Sequence, residues 1–281
     1  MTPEPAMQPG PLQIASLRAL LFRAPIATPV RTSFGIMHDR PAVLVRAEDR
    51  GGAVGWGEVW CNFPSVGAEH RVRVLASVIA PLVAGKSFAT PTDAFETLTR
   101  QTAVLAVQSG EPGPLAQVIA GVDVALWDLW ARRAQAPLWK LLGGAPTVSV
   151  YASGLNPEQA AALALRKREA GFRAFKLKVG FGRAADLESL RDLREALGED
   201  APVMVDANQA WTVDEALEMA NAMLPFRPRW IEEPIRADAP ISNWTALAKA
   251  SPIALAAGEN LRGSDAFSTI IASGALRVVQ P

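Results

Sequence analysis

Apolar-rich runs at residues 12–24 and 42–47 read as strands. Gly51-Gly52 marks a hairpin turn ahead of a third strand at residues 54–58. Residues 32–40 and 59–68 are expected to be loops. The pattern then turns helical over residues 69–80 and 92–107, with Thr92 as a candidate N-cap. From Leu115 to Ala134 the apolar residues Leu115, Val118, Ile119, Val122, Leu126, Leu129 and Trp130 recur mostly at three- and four-residue steps, which predicts a buried helical stripe. Gly143-Gly144 closes the segment. Strands followed by helices predict a separate α+β domain over residues 1–145.

Beyond this point strands and helices alternate. Strands are expected at residues 148–152, 174–179, 203–206, 229–231, 253–257 and 276–279. The helical segments between them include 157–170, capped by Asn156 with Pro157 at its first position, then 185–197, 213–223 after Thr212, and 243–250. A repeat of about 25 residues is what parallel β/α units require. Six strands over residues 146–281 suit a doubly wound sheet, or a (β/α)8 barrel still short of two strands.

Composition narrows the function. With 49% hydrophobic and 20% charged residues, the 281-residue chain can bury a large core, in one big domain or two unequal ones. Lys plus Arg and Asp plus Glu balance at 28 each, so no global charge draws the chain to nucleic acid or an anionic membrane, and a small-molecule partner is expected. The single cysteine, Cys61, excludes an intramolecular disulfide framework and suits a reducing cytoplasm. The apolar run at residues 19–22, between Arg18 and Arg23, is too short for a secretory signal or a membrane span. A soluble, cytoplasmic protein is expected.

Chemistry-bearing residues sit at the ends of successive predicted strands, where parallel α/β barrels collect their catalytic groups. In Lys176-Leu177-Lys178 both lysines point to one side of a strand. Repulsion between them, with a nearby cation, favours a neutral lysine able to act as a base. The next strands end in Asp206-Ala207-Asn208, Glu232-Glu233-Pro234 and Gly258-Glu259-Asn260. Three carboxylates converging at one rim would repel unless a cation neutralised them, and hard oxygen donors in that number suit Mg2+.

The strings Lys176-Leu177-Lys178, Val205-Asp206-Ala207-Asn208-Gln209-Ala210-Trp211, Trp230-Ile231-Glu232-Glu233-Pro234 and Gly258-Glu259-Asn260 resemble the enolase superfamily, in particular its mandelate racemase and muconate lactonizing branch. Residues 119–128, Ile-Ala-Gly-Val-Asp-Val-Ala-Leu-Trp-Asp, resemble a late helix of that family's capping domain. The resemblance implies an α+β capping domain and a (β/α)8-type barrel, with Asp206, Glu232 and Glu259 as Mg2+ ligands. It also implies Lys178 as the base that removes the proton next to a substrate carboxylate, Lys176 as its assistant, and Asn208 as a substrate contact. An enolase-type site of this kind, a lysine base with Mg2+ stabilising an enediolate, is a known pattern. Glutamate rather than aspartate at position 259 resembles the mandelate racemase subgroup, which favours a hydroxy acid or sugar acid undergoing dehydration or racemisation. A muconate cycloisomerase-like or epimerase-like member and a non-catalytic remnant are the alternatives. A homo-oligomer is expected by the same resemblance.

In this family an Asp commonly follows a string such as Val278-Val279-Gln280-Pro281, and a His lies on the next strand. Both fall beyond Pro281, so the chain is expected to be a partial record or a truncated product, with a second acid or base out of sight. A metal-dependent hydrolase is disfavoured because such sites commonly add imidazole ligands, and His38 and His70 both precede the barrel. Both histidines are expected to be exposed. Trp56, Trp60 and Phe63 are expected in packing and Cys61 to be inert. Glu233 is expected to point away from Glu232, and Gly180-Phe181-Gly182 to be a turn rather than a phosphate loop.

Overall fold

The computed structural model describes residues 9–32 and 35–281, which form two compact units divided between Val148 and Ser149. In the first unit β1 (Leu12–Thr32) and β2 (Gly35–Asp49) form a long antiparallel hairpin. With β3 (Val54–Val59) and β4 (Ser87–Phe88) they make a sheet of order β3-β2-β1-β4. The hairpin corrects the loop expected at 32–40: residues 35–40 pair with β1 as far as Arg40 opposite Ala24, and His38 is an exposed strand residue. Residues 33 and 34 of that expected loop lie outside the described ones.

The helix expected at 69–80 is a composite of α1 (Gly67–Val74), a π-helical turn (Leu75–Ile79) and α2 (Ala80–Val83). Next, α3 (Pro91–Gln108) is capped by Thr90 rather than Thr92, because the Thr90 hydroxyl accepts the Asp93 N–H at 3.1 Å and Pro91 takes the first helical position. The apolar stripe lies on α4 (Pro112–Arg133), with Leu115, Val118, Ile119, Val122, Leu126, Leu129 and Trp130 all buried. It packs on the sheet, where Leu12, Ile14, Leu17, Val43, Val45 and Val59 complete the core. The helix comes very close to β3: a Cβ on Gly57 would lie 2.1 Å from the Gly121 carbonyl oxygen. A short helix, α5 (Leu138–Leu141), ends the unit.

The second unit is a six-stranded parallel sheet of order β10-β9-β8-β7-β6-β5, with β5 (Ala152–Leu155), β6 (Phe175–Lys178), β7 (Val203–Asp206), β8 (Ile231–Glu232), β9 (Leu255–Ala257) and β10 (Val278–Val279). Helices α6 (Ala160–Glu169), α7 (Arg183–Leu197), α8 (Val213–Met223), α9 (Ile241–Ala250) and α10 (Gly263–Ser273) connect them. The first strand sits four residues later than residues 148–152 suggest, and Val148 and Val150 are exposed. The helix expected from Pro157 starts at Ala160, behind a left-handed Gln159 (φ 66°), so Asn156 does not cap it. Thr212 does cap α8, in a reciprocal capping box with Glu215.

Alternation assigns each face of this sheet a task. Phe175, Leu177, Val203, Val205 and Ile231 are buried in one apolar cluster with residues of α6, α7 and α8. The intervening positions carry Lys176, Lys178, Asp206 and Glu232. Arg194 braces the unit: its guanidinium donates to the carbonyls of Ala201 at 2.6 Å, Phe226 at 2.7 Å and Arg227 at 3.1 Å. Among the described residues no helix is long and apolar enough to cross a membrane.

Candidate active site

Strand register gathers the charged residues. Lys178 pairs with Asp206 across β6 and β7, and Asp206 pairs with Glu232 across β7 and β8. Three polar residues thus stand side by side on neighbouring strands, about 4.8 Å apart per step. Lys176, two residues before Lys178, points to the same side, and its Nζ lies 2.6 Å from Glu232 Oε1 and 3.1 Å from Asp206 Oδ2. The Lys178 Nζ donates to Asp206 Oδ2 at 2.6 Å and to Asn208 Oδ1 at 2.8 Å. Lys176, Asp206 and Glu232 are buried, whereas a quarter of the Lys178 side chain is open to solvent.

These contacts decide which groups hold charge. Burial works against the Lys176 ammonium, but Asp206 and Glu232 outweigh it and hold its pKa above the usual lysine range. For Lys176, then, the carboxylates override the lysine-lysine repulsion expected from the sequence. Burial also opposes the Asp206 carboxylate, yet Lys178 and Lys176 keep its pKa below the ordinary value. Glu232 is pushed up by burial and by Asp206, with Lys176 opposing.

Glu259 is placed differently. It follows β9 after Gly258 and is exposed, and among the described residues no three His, Cys, Asp or Glu side chains are grouped to hold a metal ion. The structure therefore brings together Asp206 and Glu232 of the expected ligand set, with both lysines and Asn208, but not Glu259. The donor chemistry still suits Mg2+, which commonly takes one or two carboxylates and completes its shell with water and substrate oxygens.

Glu233, expected to point away from Glu232 on a regular strand, sits where the strand is not regular. Its φ of 41° breaks the regular strand, its side chain is buried, and both carboxylate oxygens accept Asn260 Nδ2, at 2.8 and 3.0 Å. Burial raises its pKa to about 7, with Glu259, Asp206 and Glu232 adding to the shift and Asn260 opposing it. Three further residues escaped the sequence reading. The Tyr151 ring lies under Lys176, whose Nζ is 5.7 Å from the ring centroid. Asp186 accepts the N–H groups of Gly180 at 2.9 Å and Phe181 at 3.1 Å, fixing the expected turn after Lys178. Gln280 donates through Nε2 to Glu232 Oε2 at 2.7 Å. Only Asp186 left a trace in the sequence, as an acid in the first turn of a helix after a glycine-rich turn. The other aromatic and histidine candidates belong to the first unit: Trp56 and Trp60 are exposed rather than packed, Cys61 is buried, and His70 is half-buried rather than exposed, its Nε2 2.9 Å from Glu111.

The chain matches two family descriptions: "Mandelate racemase / muconate lactonizing enzyme, N-terminal domain" over residues 16–143, and "Enolase C-terminal domain-like" over residues 159–281. It is 35% identical to the 3,6-anhydro-alpha-L-galactonate cycloisomerase of Streptomyces coelicolor, over 95% of this chain and 74% of that protein. Its fold is similar to a mandelate racemase/muconate lactonizing enzyme from Bordetella bronchiseptica, with 52% identity, a TM-score of 0.90, and coverage of 96% of this chain and 72% of that one. A racemase from Streptomyces coelicolor solved with bound magnesium is also similar, with 33% identity, a TM-score of 0.87, and coverage of 95% and 75%. The chain belongs to the mandelate racemase/muconate lactonizing family of the enolase superfamily. It carries that family's N-terminal α+β capping domain and a (β/α)8-type barrel domain, of which six strands are present.

Proposed function

We propose that this protein removes the proton α to the carboxylate of a hydroxy acid or sugar acid, with Mg2+ as cofactor, leading through an enediolate to dehydration or racemisation. The observation that carries this reading is the cluster of Lys176, Lys178, Asp206 and Glu232, hydrogen-bonded to one another at three successive strand ends. Asp206 and Glu232 would hold the Mg2+, with Glu259 as the third ligand that the family resemblance implies, and the bound ion would offset the negative charge that develops on the substrate carboxylate. Lys176, kept protonated by its two carboxylates, serves as a fixed cation beside that carboxylate. Lys178 is the more accessible amine and the group assigned to take the α-proton. The amide of Asn208, which accepts from Lys178 Nζ, orients that amine and contacts substrate.

A second reading, cycloisomerisation of a sugar-acid derivative, is favoured by the similarity to the anhydrogalactonate cycloisomerase; it shares the proton-abstraction step. The shared step is tested by incubating the protein with a library of acid sugars in D2O and following loss of the α-proton by NMR. Lys178→Ala is expected to abolish exchange, and exchange at the wild-type rate would assign the base elsewhere. The ligand set is tested by calorimetric titration with Mg2+. Glu232→Gln and Glu259→Gln are each expected to weaken binding, and unchanged affinity removes that residue from the set.

A further inference from the structure

We propose that Gln280 is a positioning residue for Glu232, reaching it from β10 across the end of β9. Gln280 directly follows β10, which pairs with β9, whereas Glu232 belongs to β8 on the other side of β9. Two strand spacings separate them, about 10 Å. The gap is lined by Ala256 and Ala257 of β9 and by Gly258 just beyond it, and Ala256 is the register partner of both Glu232 and Val278. No bulky side chain lies in the way. A glutamine approaching from one side and a glutamate from the other span the distance, ending in the 2.7 Å contact between Nε2 and Oε2.

Gly258 sets the starting point of that reach. The Gln280 N–H donates to the Ala257 carbonyl at 3.0 Å, seating the end of β10 on β9. A Cβ at position 258 would lie 2.3 Å from the Gln280 carbonyl oxygen, and φ there is 146°, a conformation that favours glycine. The Glu232 carboxylate is thus held from two directions, by Lys176 on Oε1 and by Gln280 on Oε2. A carboxylate only accepts hydrogen bonds, so it fixes which end of the Gln280 amide faces it. The remaining Gln280 Oε1 is buried without a partner among the described residues. A buried amide with one end unsatisfied calls for an explanation in what its other end does. Here that is to fix the plane of a carboxylate whose orientation matters.

The role of Glu232 as a Mg2+ ligand comes from the proposed function, so the test has two arms. In the first, the side-chain amide of Gln280 is followed by 15N NMR in the metal-free protein with chelator, its resonance assigned through Gln280→Met. Glu232→Gln is expected to shift it, and an unmoved resonance overturns the inference whatever the fate of the metal. In the second, Mg2+ is titrated calorimetrically into substrate-free protein. Gln280→Met, which keeps the side-chain volume, and Gln280→Asn, one methylene too short, are each expected to weaken binding by about tenfold to a hundredfold. Gly258→Ala should do the same by unseating Gln280. Wild-type affinity in Gln280→Met and Gln280→Asn would overturn the inference. If Glu232→Gln also left Mg2+ affinity unchanged, the ligand assignment would fall instead, and the NMR arm alone would decide the contact.

Discussion

Replacing Lys176 with methionine removes the ammonium shared by Asp206 and Glu232 while nearly preserving side-chain volume, so the change is electrostatic rather than a cavity. The Lys176 side chain is only 7% exposed and its two carboxylate partners 1% each, so neither acid can recover its lost partner from bulk water. Breaking a buried ion pair by deleting one member costs about 3–5 kcal/mol. Lys178 and Gln280 still donate to the pair, which places the expected loss near the lower end, about 3 kcal/mol. The pH dependence follows from Glu232, whose pKa is already raised by burial and by Asp206. Losing the ammonium raises it further, and an acid with a raised folded-state pKa destabilises above its unfolded pKa, not below. The deficit should therefore be larger at pH 8 and shrink as the pH falls towards about 4.3, the unfolded-state value of a glutamate, where the penalty of holding Glu232 charged is largely gone. Urea denaturation in chelator, followed by tryptophan fluorescence at pH 8 and pH 4.5, measures both quantities. Saturating Mg2+ should stabilise Lys176→Met more than wild type, because the ion no longer competes with an ammonium for the same oxygens. Coincident denaturation curves at pH 8, or a deficit of equal size at both pH values, would refute the reasoning.

Three further expectations concern the scaffold. Asp123 has a buried Oδ1 with no hydrogen-bond partner among the described residues and a pKa raised by burial to about 6, so its charge destabilises the fold once the pH exceeds about 4. Asp123→Asn should raise stability at pH 8 by about 1 kcal/mol, after discounting for partial exposure, and change nothing at pH 3.5; denaturant titration at both pH values checks this. Arg194→Met strands the carbonyls of Ala201, Phe226 and Arg227 and should cost about 3 kcal/mol, read as a lower urea midpoint. Gly57→Ala drives a methyl group into the backbone of α4 and should cost about 1–3 kcal/mol or more, visible in the thermal midpoint.

The site was legible wherever chemistry coincided with strand periodicity. Lys176 and Lys178 share a face because Leu177 between them faces the apolar cluster, and that alternation is plain in three letters of sequence. Asp206 and Glu232 each close an apolar run, and the parallel register then makes them neighbours. What the sequence hid depends on partners distant along the chain. The β-branched pattern at Val148 and Val150 looks like a strand, but these residues are exposed and the ladder begins at Ala152, where Phe175 is available. Asn156 and Pro157 are good helix-start residues, yet the chain needs another turn, with Gln159 left-handed, before α6 begins. Glu233 leaves the regular strand at φ 41° and is held by Asn260, a conformation for which glutamate carries no sequence mark. The reach of Gln280 to Glu232 crosses 48 residues, and no local pattern announces it.

The register that aligns Lys178, Asp206 and Glu232 has an evolutionary corollary. Lys176, Lys178, Asp206 and Glu232 are anchored by backbone ladders, so the connecting segments past Asn208, Glu259 and Gln280 can lengthen, shorten or exchange residues without disturbing this charged cluster. Substrate preference can thus drift through loop replacement while the proton-handling apparatus stays constant. Loop grafting, more than redesign of the strand ends, is the economical route to new acid specificities on this scaffold.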